Sequence, residues 1–129
     1  MEILVVDDSR MLREMVVAAL RGDPSRTFTH AESGLEAIER LTLTAFHLVV
    51  LDLNMPDIGG IEVLEFVRAQ DNLRQLPIVV VTSRSDDRSR QEALAAGASA
   101  FVTKPFTPEN LEAEVSKLLS GAGARSEPA

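Results

Sequence analysis

Short apolar runs recur along the chain, and each is followed by a stretch with a different pattern. The runs cover residues 3–6, 27–31, 47–51, 78–81 and 100–102. The runs at 3–6, 47–51 and 78–81 are almost continuously apolar, which is typical of strands buried on both faces of a sheet. The run at 27–31 is weaker and more polar. We therefore predict five strands, with the second at the margin of the sheet.

The stretches between the strands show the three- and four-residue spacing of amphipathic helices. Helices are predicted after Ser9, over 34–44, after Gly60, over 86–96 and over 108–119. The residues predicted to face inward are Leu12, Val16, Ala19 and Leu20, then Leu35, Ile38 and Leu41, then Ile61, Leu64 and Val67, and finally Leu111, Val115, Leu118 and Leu119. The fourth helix has a thin apolar face, little more than Leu94 and alanines. Either Asp8 or Ser9 can cap the first helix, and Gly97 suits the end of the fourth.

Five strands that alternate with five helices predict a doubly wound α/β domain. The continuous apolar strands indicate a parallel sheet covered by helices on both faces, with right-handed crossovers. The length of 129 residues fits one domain, which we place at residues 1–120. Apolar periodicity stops at Gly121, so residues 121–129 are predicted to form a flexible tail.

Composition narrows the classes of protein to which the chain can belong. It has no cysteine, so it forms no disulfide or thiolate metal site, which fits the reducing cytoplasm. No apolar run approaches the roughly 20 residues of a membrane span, and no signal peptide opens the chain. The net charge is -7, and Lys and Arg do not cluster into a basic patch. We therefore expect a cytoplasmic protein that binds neither nucleic acid nor membrane.

The residues that follow the strands carry the candidate chemistry. Asp7 and Asp8 follow the first strand, Asp52 follows the third, Thr82 ends the fourth and Lys104 follows the fifth. Parallel strands end at one edge of the sheet, so these side chains should converge there. Crowded carboxylates repel one another unless a cation lies among them. Oxygen ligands without His or Cys favour a hard ion, and we predict Mg²⁺, with Mn²⁺ able to substitute.

Such an edge suits phosphoryl transfer to a carboxylate. One aspartate can accept the group covalently, while the metal offsets the charge of the incoming oxygens. Thr82 can donate a hydrogen bond to the phosphoryl group, and Lys104 can place a positive charge on it. The backbone carbonyl of Asn54 can supply one more oxygen to the metal.

Four segments resemble the motifs of bacterial response-regulator receiver domains of the stand-alone, CheY-like kind. They are Val5-Val6-Asp7-Asp8-Ser9, Leu51-Asp52-Leu53-Asn54-Met55-Pro56, Val81-Thr82-Ser83 and Phe101-Val102-Thr103-Lys104-Pro105-Phe106. The resemblance covers roughly residues 2–120. Each motif is weak alone, but all four occur in order at the ends of predicted strands. The resemblance implies a flavodoxin-like strand order of 2-1-3-4-5.

The resemblance also assigns roles to individual residues. The metal ligands would be Asp7, Asp8, Asp52 and the Asn54 carbonyl. Asp52 would be the phosphoacceptor, and Thr82 and Lys104 would bind the phosphoryl group. The Lys104–Pro105 peptide bond would be cis. The donor would be a sensor histidine kinase, a phosphotransfer protein or a small molecule such as acetyl phosphate. The protein would be no turnover enzyme, although it would catalyse its own phosphorylation and lose the group slowly.

A switch is implied as well. Movement of Thr82 toward the phosphoryl group would open a space that Phe101 fills, without the hydroxyl that a tyrosine would bring. The helix at 86–96, the strand at 100–103 and the helix at 108–119 would form the surface for a downstream protein. Arg84 and the Asn54 side chain would lie near the site entrance and tune the lifetime of the phosphoryl group.

The residues at the strand ends also bear on functions other than phosphoryl acceptance. A haloacid-dehalogenase-type phosphatase needs an acid two residues after its nucleophile, where this chain has Asn54. A flavodoxin or dinucleotide binder needs a phosphate loop after the first strand, where Asp7 and Asp8 stand instead. A receiver-like interaction module without phosphorylation, and the N-terminal receiver of a longer regulator, stay open. So does the choice between a chemotaxis or motility role and a phosphorelay. His30 and His47 are interpreted as structural.

Overall fold

Five parallel strands form a single sheet in the order β2-β1-β3-β4-β5. The computed structural model describes residues 1–83 and 86–125, the last five without side chains. The strands are β1 (Glu2–Val6), β2 (Thr27–Ala31), β3 (Leu48–Leu51), β4 (Ile78–Thr82) and β5 (Ala100–Thr103). The doubly wound parallel sheet and its strand order are as predicted, with the polar β2 at one margin.

Five helices connect or follow the strands. They are α1 (Arg10–Leu20), α2 (Gly34–Leu43), α3 (Gly60–Ala69), α4 (Asp87–Ala96) and α5 (Pro108–Arg125), and a short 3-10 turn at Asp71–Leu73 precedes β4. Ser9, rather than Asp8, caps α1, because its side chain accepts the Leu12 N–H. Gly97 ends α4 with a φ of 115°, a backbone conformation that favours glycine.

The sheet separates two apolar cores. Alternate residues of β1 point to opposite faces, so Ile3 and Val5 pack with α1 and α5, and Leu4 and Val6 pack with α2, α3 and α4. All four are 0–1% exposed. This double burial explains why residues 3–6, 48–51 and 78–81 of the central strands are apolar at every position.

Three details of the helices differ from the prediction. Leu35 faces outward and is 57% exposed, whereas Gly34, Ala37 and Leu41 form the buried stripe of α2. Leu94 is 43% exposed, and Ala93 is the apolar residue that α4 buries.

The third difference concerns the C-terminal end. Helix α5 continues to Arg125, through residues 121–125 of the predicted tail. Apolar periodicity predicts only the part of a helix that packs on the core, so it gave too early an end. Residues 126–129 and Arg84 lie outside the described residues. Among the helices that are described, none combines the length and apolar character needed to cross a membrane.

Candidate functional site

The carboxyl edge of the sheet holds the predicted site residues in place through their main chains. The Asp7 N–H donates to the Ala31 carbonyl at 3.1 Å, and the Asp52 N–H donates to the Val6 carbonyl at 3.0 Å. The Lys104 N–H donates to the Thr82 carbonyl at 2.8 Å. Each bond extends the ladder of parallel strands just past a strand end. The rigid sheet therefore positions the side chains that follow it.

Three carboxylates meet at this edge, as the sequence predicts. One oxygen from each of Asp7, Asp8 and Asp52 lies within 4.8 Å of the others. Asp7 and Asp52 are each 5% exposed, and Asp8 is exposed to solvent. Lys104 Nζ lies 2.9 Å from Asp7 Oδ2 and 3.6 Å from Asp52 Oδ2. One ammonium group thus contacts two of the three acids, and the cluster keeps an excess of negative charge.

Asp52 is held in an environment that disfavours its charged form. Burial raises the pKa of its carboxyl group above the usual range, and the nearby charge of Asp7 acts in the same direction. The Lys104 ammonium, the Asn54 backbone N–H and the Thr82 hydroxyl oppose this rise of the pKa. Asp52 Oδ1 is buried without a hydrogen-bond partner among the described residues. Such an oxygen is costly unless something further binds it.

These observations fit a hard divalent cation. The donor atoms are carboxylate oxygens, which suit Mg²⁺ or Mn²⁺ better than softer metals. A cation would offset the excess negative charge and satisfy the buried Asp52 oxygen. Asn54 lies two residues past Asp52 and lines the same cavity as Asp8, so it stands beside the acids.

A cavity of about 360 Å³ opens beside Asp8, the exposed member of the acid cluster. Asp8, Asn54, Met55, Pro56 and Gly59 contribute to its lining. The acid cluster is therefore open to solvent on the side of Asp8.

The loop between β3 and α3 returns tightly over Asp52. The Gly60 N–H donates to the Leu53 carbonyl at 3.1 Å. A Cβ atom at Gly60 would lie 2.5 Å from the Asp52 carbonyl oxygen, which is closer than real contacts allow. Glycine at this position lets α3 begin directly against the strand end that carries Asp52.

The two predicted switch residues occupy different environments. Thr82 is fully buried at the end of β4, and Phe101 on β5 pairs with Val80 and packs on the core that lies under α4. The Arg90 guanidinium of α4 stands 5.8 Å from the centre of the Phe101 ring, within cation–π range. The Lys104–Pro105 peptide bond is cis, as the resemblance implies. Phe101 is therefore linked to α4 rather than to the acid cluster.

Two polar residues near the site were not singled out from the sequence. Arg13 of α1 is buried and donates to the Asp7 carbonyl oxygen at 2.6 Å. Asp57 accepts the Gly34 and Leu35 N–H groups at 3.1 Å each, which ties the loop after Asp52 to the start of α2. In the sequence Arg13 is one more polar helix residue, and Asp57 is one of several turn residues. Only a tertiary contact distinguishes them.

Comparisons with known proteins agree with this geometry. The family model of the response regulator receiver domain matches residues 3–116. Chemotaxis protein CheY-3 of Vibrio cholerae serotype O1 is 35% identical over 118 residues, which cover 92% of this chain and 91% of that protein. Chemotaxis protein CheY of Pseudomonas aeruginosa is also 35% identical, over 92% of this chain and 95% of that protein. The solved structure of the signal receiver domain of a signal transduction histidine kinase from Syntrophus aciditrophicus superposes with a TM-score of 0.87 at 32% identity, covering 99% of this chain and 96% of that one.

Proposed function

This chain belongs to the response regulator receiver domain family, and from that premise we propose that it accepts a phosphoryl group on Asp52 in a reaction that requires Mg²⁺ or Mn²⁺. Membership of the family makes it a protein of two-component signal transduction, with relatives in chemotaxis.

The buried Oδ1 of Asp52, which has no hydrogen-bond partner among the described residues, is the observation that carries the proposal. Both oxygens of Asp7 are engaged, Oδ1 by the Ser9 N–H and Oδ2 by Lys104, each at 2.9 Å. Asp8 is exposed to solvent. Asp52 Oδ1 has no hydrogen-bond partner in the described part of the chain, and Lys104 Nζ is 3.6 Å from Oδ2. Of the three acids, Asp52 is therefore the buried one that has an oxygen available for a new bond.

The transfer needs no further chemical group from the protein. An Asp52 oxygen forms a bond to phosphorus while the bond from phosphorus to the donor's imidazole nitrogen breaks, and the leaving imidazole keeps the electron pair. A divalent cation at the acids would supply positive charge that offsets the phosphoryl oxygens. Thr82 donates a hydrogen bond to one phosphoryl oxygen, and Lys104 turns from Asp7 toward another. Asp7 and Asp8 would hold the cation beside Asp52.

The lifetime of the aspartyl phosphate depends on the residue two positions after Asp52. Asn54 occupies the position at which a turnover phosphatase would carry a general acid or base. Water must therefore attack the aspartyl phosphate without a protonating side chain at that position. We expect slow self-dephosphorylation, so that the phosphorylated form lasts long enough to act as a signal.

The expected partners lie upstream and downstream of this reaction. A sensor histidine kinase or a phosphotransfer protein supplies the phosphoryl group. A downstream protein binds α4, β5 and α5, where the exposed residues of α4 are mainly charged, among them Asp87, Arg88 and Arg90. The cation–π contact of Arg90 with Phe101 gives the proposed switch a direct route to that surface. Chemotaxis-type output is favoured by the relatives, and a phosphorelay is the second candidate.

The proposal is tested by intact-mass spectrometry after incubation with acetyl phosphate and a rapid acid quench. We expect one added phosphoryl group, which appears with Mg²⁺ or Mn²⁺ and disappears with a chelator. Asp52→Asn should abolish the adduct. Asp57→Asn, a matched change five residues away on the exposed loop, should retain it. An adduct that persists in Asp52→Asn, or that forms without a divalent cation, would contradict the assignment.

A further inference from the structure

Arg13 is a buried cation whose place is not explained by an ion pair. It lies in the first half of α1 and is 7% exposed. Guanidinium groups keep their charge in proteins and are costly to bury without compensation. No carboxylate pairs with Arg13 within the described part of the chain. Its hydrogen bonds go instead to the Asp7 carbonyl oxygen at 2.6 Å and to His30 Nδ1 at 3.1 Å.

The carbonyl that Arg13 binds belongs to the peptide unit joining Asp7 to Asp8. The N–H of Asp7 is already held by the Ala31 carbonyl of β2, so the main chain of Asp7 is fixed on both sides. The Asp7 carboxylate is held by Ser9 and Lys104. The Asp8 side chain is exposed and makes no hydrogen bond to the residues that the structure describes. Its direction therefore depends on the peptide unit that Arg13 holds.

We infer that Arg13 is a positioning residue, which fixes the Asp7–Asp8 peptide unit so that both carboxylates face the same divalent cation. The inference rests on the proposed function, because it concerns the cation that serves Asp52. His30 on β2 accepts a hydrogen bond from Arg13 Nε and sets the plane of the guanidinium, and Arg13 Nη1 then reaches the Asp7 carbonyl. Arg13 touches neither the cation nor the phosphoryl group. It acts as outer partners of metal ligands do, by orienting the ligands.

Three roles of Arg13, through charge, positioning or packing, predict different effects on the affinity for Mg²⁺. A positive charge close to the site repels a divalent cation, so removing it would tighten metal binding. A lost anchor would free the peptide unit and weaken metal binding. A role only in packing would lower the stability of the fold and leave the affinity for metal unchanged. Metal affinity, measured apart from phosphorylation, therefore separates the three roles.

The experiment is a titration with Mg²⁺ alone, without any phosphodonor. Binding is followed by the heat of binding and by the backbone amide signals of Asp8 and Ser9. Arg13→Met removes the charge and the donors but keeps the length of the side chain. We expect the dissociation constant for Mg²⁺ to rise about tenfold or more, the usual effect of losing such an outer partner. Urea unfolding without Mg²⁺ reports stability separately.

Two further variants complete the test. Arg21→Met makes the same substitution at an exposed arginine just past the other end of α1 and should leave the affinity within about twofold of the wild type. Arg13→Lys keeps the charge but loses the fork of donors, so it should restore part of the affinity and not all of it. If Arg13→Met does not fold, weaker Mg²⁺ binding by Arg13→Lys decides in favour of the inference.

Either of two results would overturn the inference. The first is that Arg13→Met binds Mg²⁺ as tightly as the wild type or more tightly. The second applies if Arg13→Met does not fold, and is that Arg13→Lys binds Mg²⁺ as tightly as the wild type. A wild-type protein that binds no Mg²⁺ at all would overturn the proposed function as well. A wild-type protein that binds Mg²⁺ normally, with an Arg13 variant that binds it equally well, would remove only the role of Arg13.

Discussion

Lys104 carries the positive charge around which the acids of the site are arranged. Its ammonium group lies 2.9 Å from an Asp7 oxygen and 3.6 Å from an Asp52 oxygen. Burial raises the pKa of Asp52, and the charge of Lys104 works against that rise. Lys104 thus helps to keep Asp52 ionised and nucleophilic. It also competes with a divalent cation for the same carboxylates.

Replacing Lys104 with methionine should separate these two effects. Phosphorylation by acetyl phosphate should slow by about 100-fold or more, because a group that stabilises the transferred phosphoryl oxygens is lost. Mg²⁺ should bind as tightly as in the wild type or more tightly, because a like charge is gone. Quenched-flow mass spectrometry measures the rate, and a metal titration measures the affinity. Lys117→Met, which changes the exposed lysine of α5, is the control. Phosphorylation of Lys104→Met at the wild-type rate would remove Lys104 from phosphoryl binding.

The residues of the acid cluster were predictable, and those that support it were not. Asp7, Asp8, Asp52 and Lys104 follow apolar strands, and parallel strands bring such positions to one edge. Arg13 acts through a backbone carbonyl of Asp7, and no pattern of side chains reveals that contact. The positions of the strand ends are therefore enough to predict the reactive side chains, but not the residue that orients them.

Helix α2 departs from its apolar periodicity because a loop determines its first turn. Leu35 was predicted to face inward from its spacing with Ile38 and Leu41. The Asp57 carboxylate binds the N–H groups of Gly34 and Leu35, and a Cβ atom at Gly34 would lie 2.4 Å from the Ile58 carbonyl oxygen. The loop thus packs directly on Gly34, and this contact fixes how α2 begins. The sequence of α2 alone holds no information about this loop.

An ion pair joins the segment before β2 to α5. The Arg26 guanidinium donates to both oxygens of Glu112, at 2.6 and 3.0 Å, and the Arg26 side chain is 5% exposed. The hydrogen bond to Arg26 holds the pKa of Glu112 below its ordinary value of 4.5. A carboxylate with a lowered folded pKa stabilises the fold above its unfolded pKa, and this contribution is lost as pH falls through the folded pKa.

Glu112→Gln should therefore destabilise the protein at neutral pH but not in acid. We expect a loss of about 1–2 kcal/mol in the free energy of unfolding at pH 7, because a nearly buried guanidinium loses its charged partner. The difference from the wild type should shrink as pH falls below about 4.5. Urea unfolding across this range, with the exposed Glu14→Gln as control, measures it. A difference that is constant with pH would show that the charge of Glu112 contributes nothing.

Helix α4 is held mainly at its C-terminal end. Arg68 of α3 donates to the Gly97 carbonyl at 3.0 and 2.7 Å, and to the carbonyls of Leu73 and Arg74. The helix itself buries only Ser89 and Ala93. An element with so little buried surface is a natural moving part, and a clamp at one end makes its other end the one that moves. That other end follows Thr82 along the chain.

Loss of the clamp should be visible as local opening of α4. Arg68→Met should speed hydrogen exchange at the Gly97 and Ala98 amides, whose acceptors are carbonyls of the last turn of α4. We expect stability to fall by about 1–3 kcal/mol, since several hydrogen bonds to a charged group are removed. Arg74→Met, at an exposed arginine paired with Asp71, should leave these amides protected. Equal exchange in the two variants would mean that Arg68 does not anchor α4.

Taken as a whole, the molecule divides into a rigid part and a poorly packed part. The central strands, buried in two cores, hold Asp7, Asp52 and Thr82 in register through backbone hydrogen bonds. Helix α4 is less buried, and the contact of its Arg90 with Phe101 joins it to β5, the edge strand of the sheet. A chemical change at the sheet edge can therefore bias the position of α4 while the acids keep their geometry.

Locating the phosphoryl group on the chain shows directly whether Asp52 accepts it. The protein is phosphorylated with Mg²⁺ and acetyl phosphate, reduced with borohydride and digested, and the peptides are sequenced by mass spectrometry. Borohydride converts an aspartyl phosphate to homoserine and leaves unmodified carboxylates unchanged. We expect homoserine at position 52, formed only when a divalent cation was present. Homoserine at position 7 or 8 instead, with Asp52 unmodified, would contradict it.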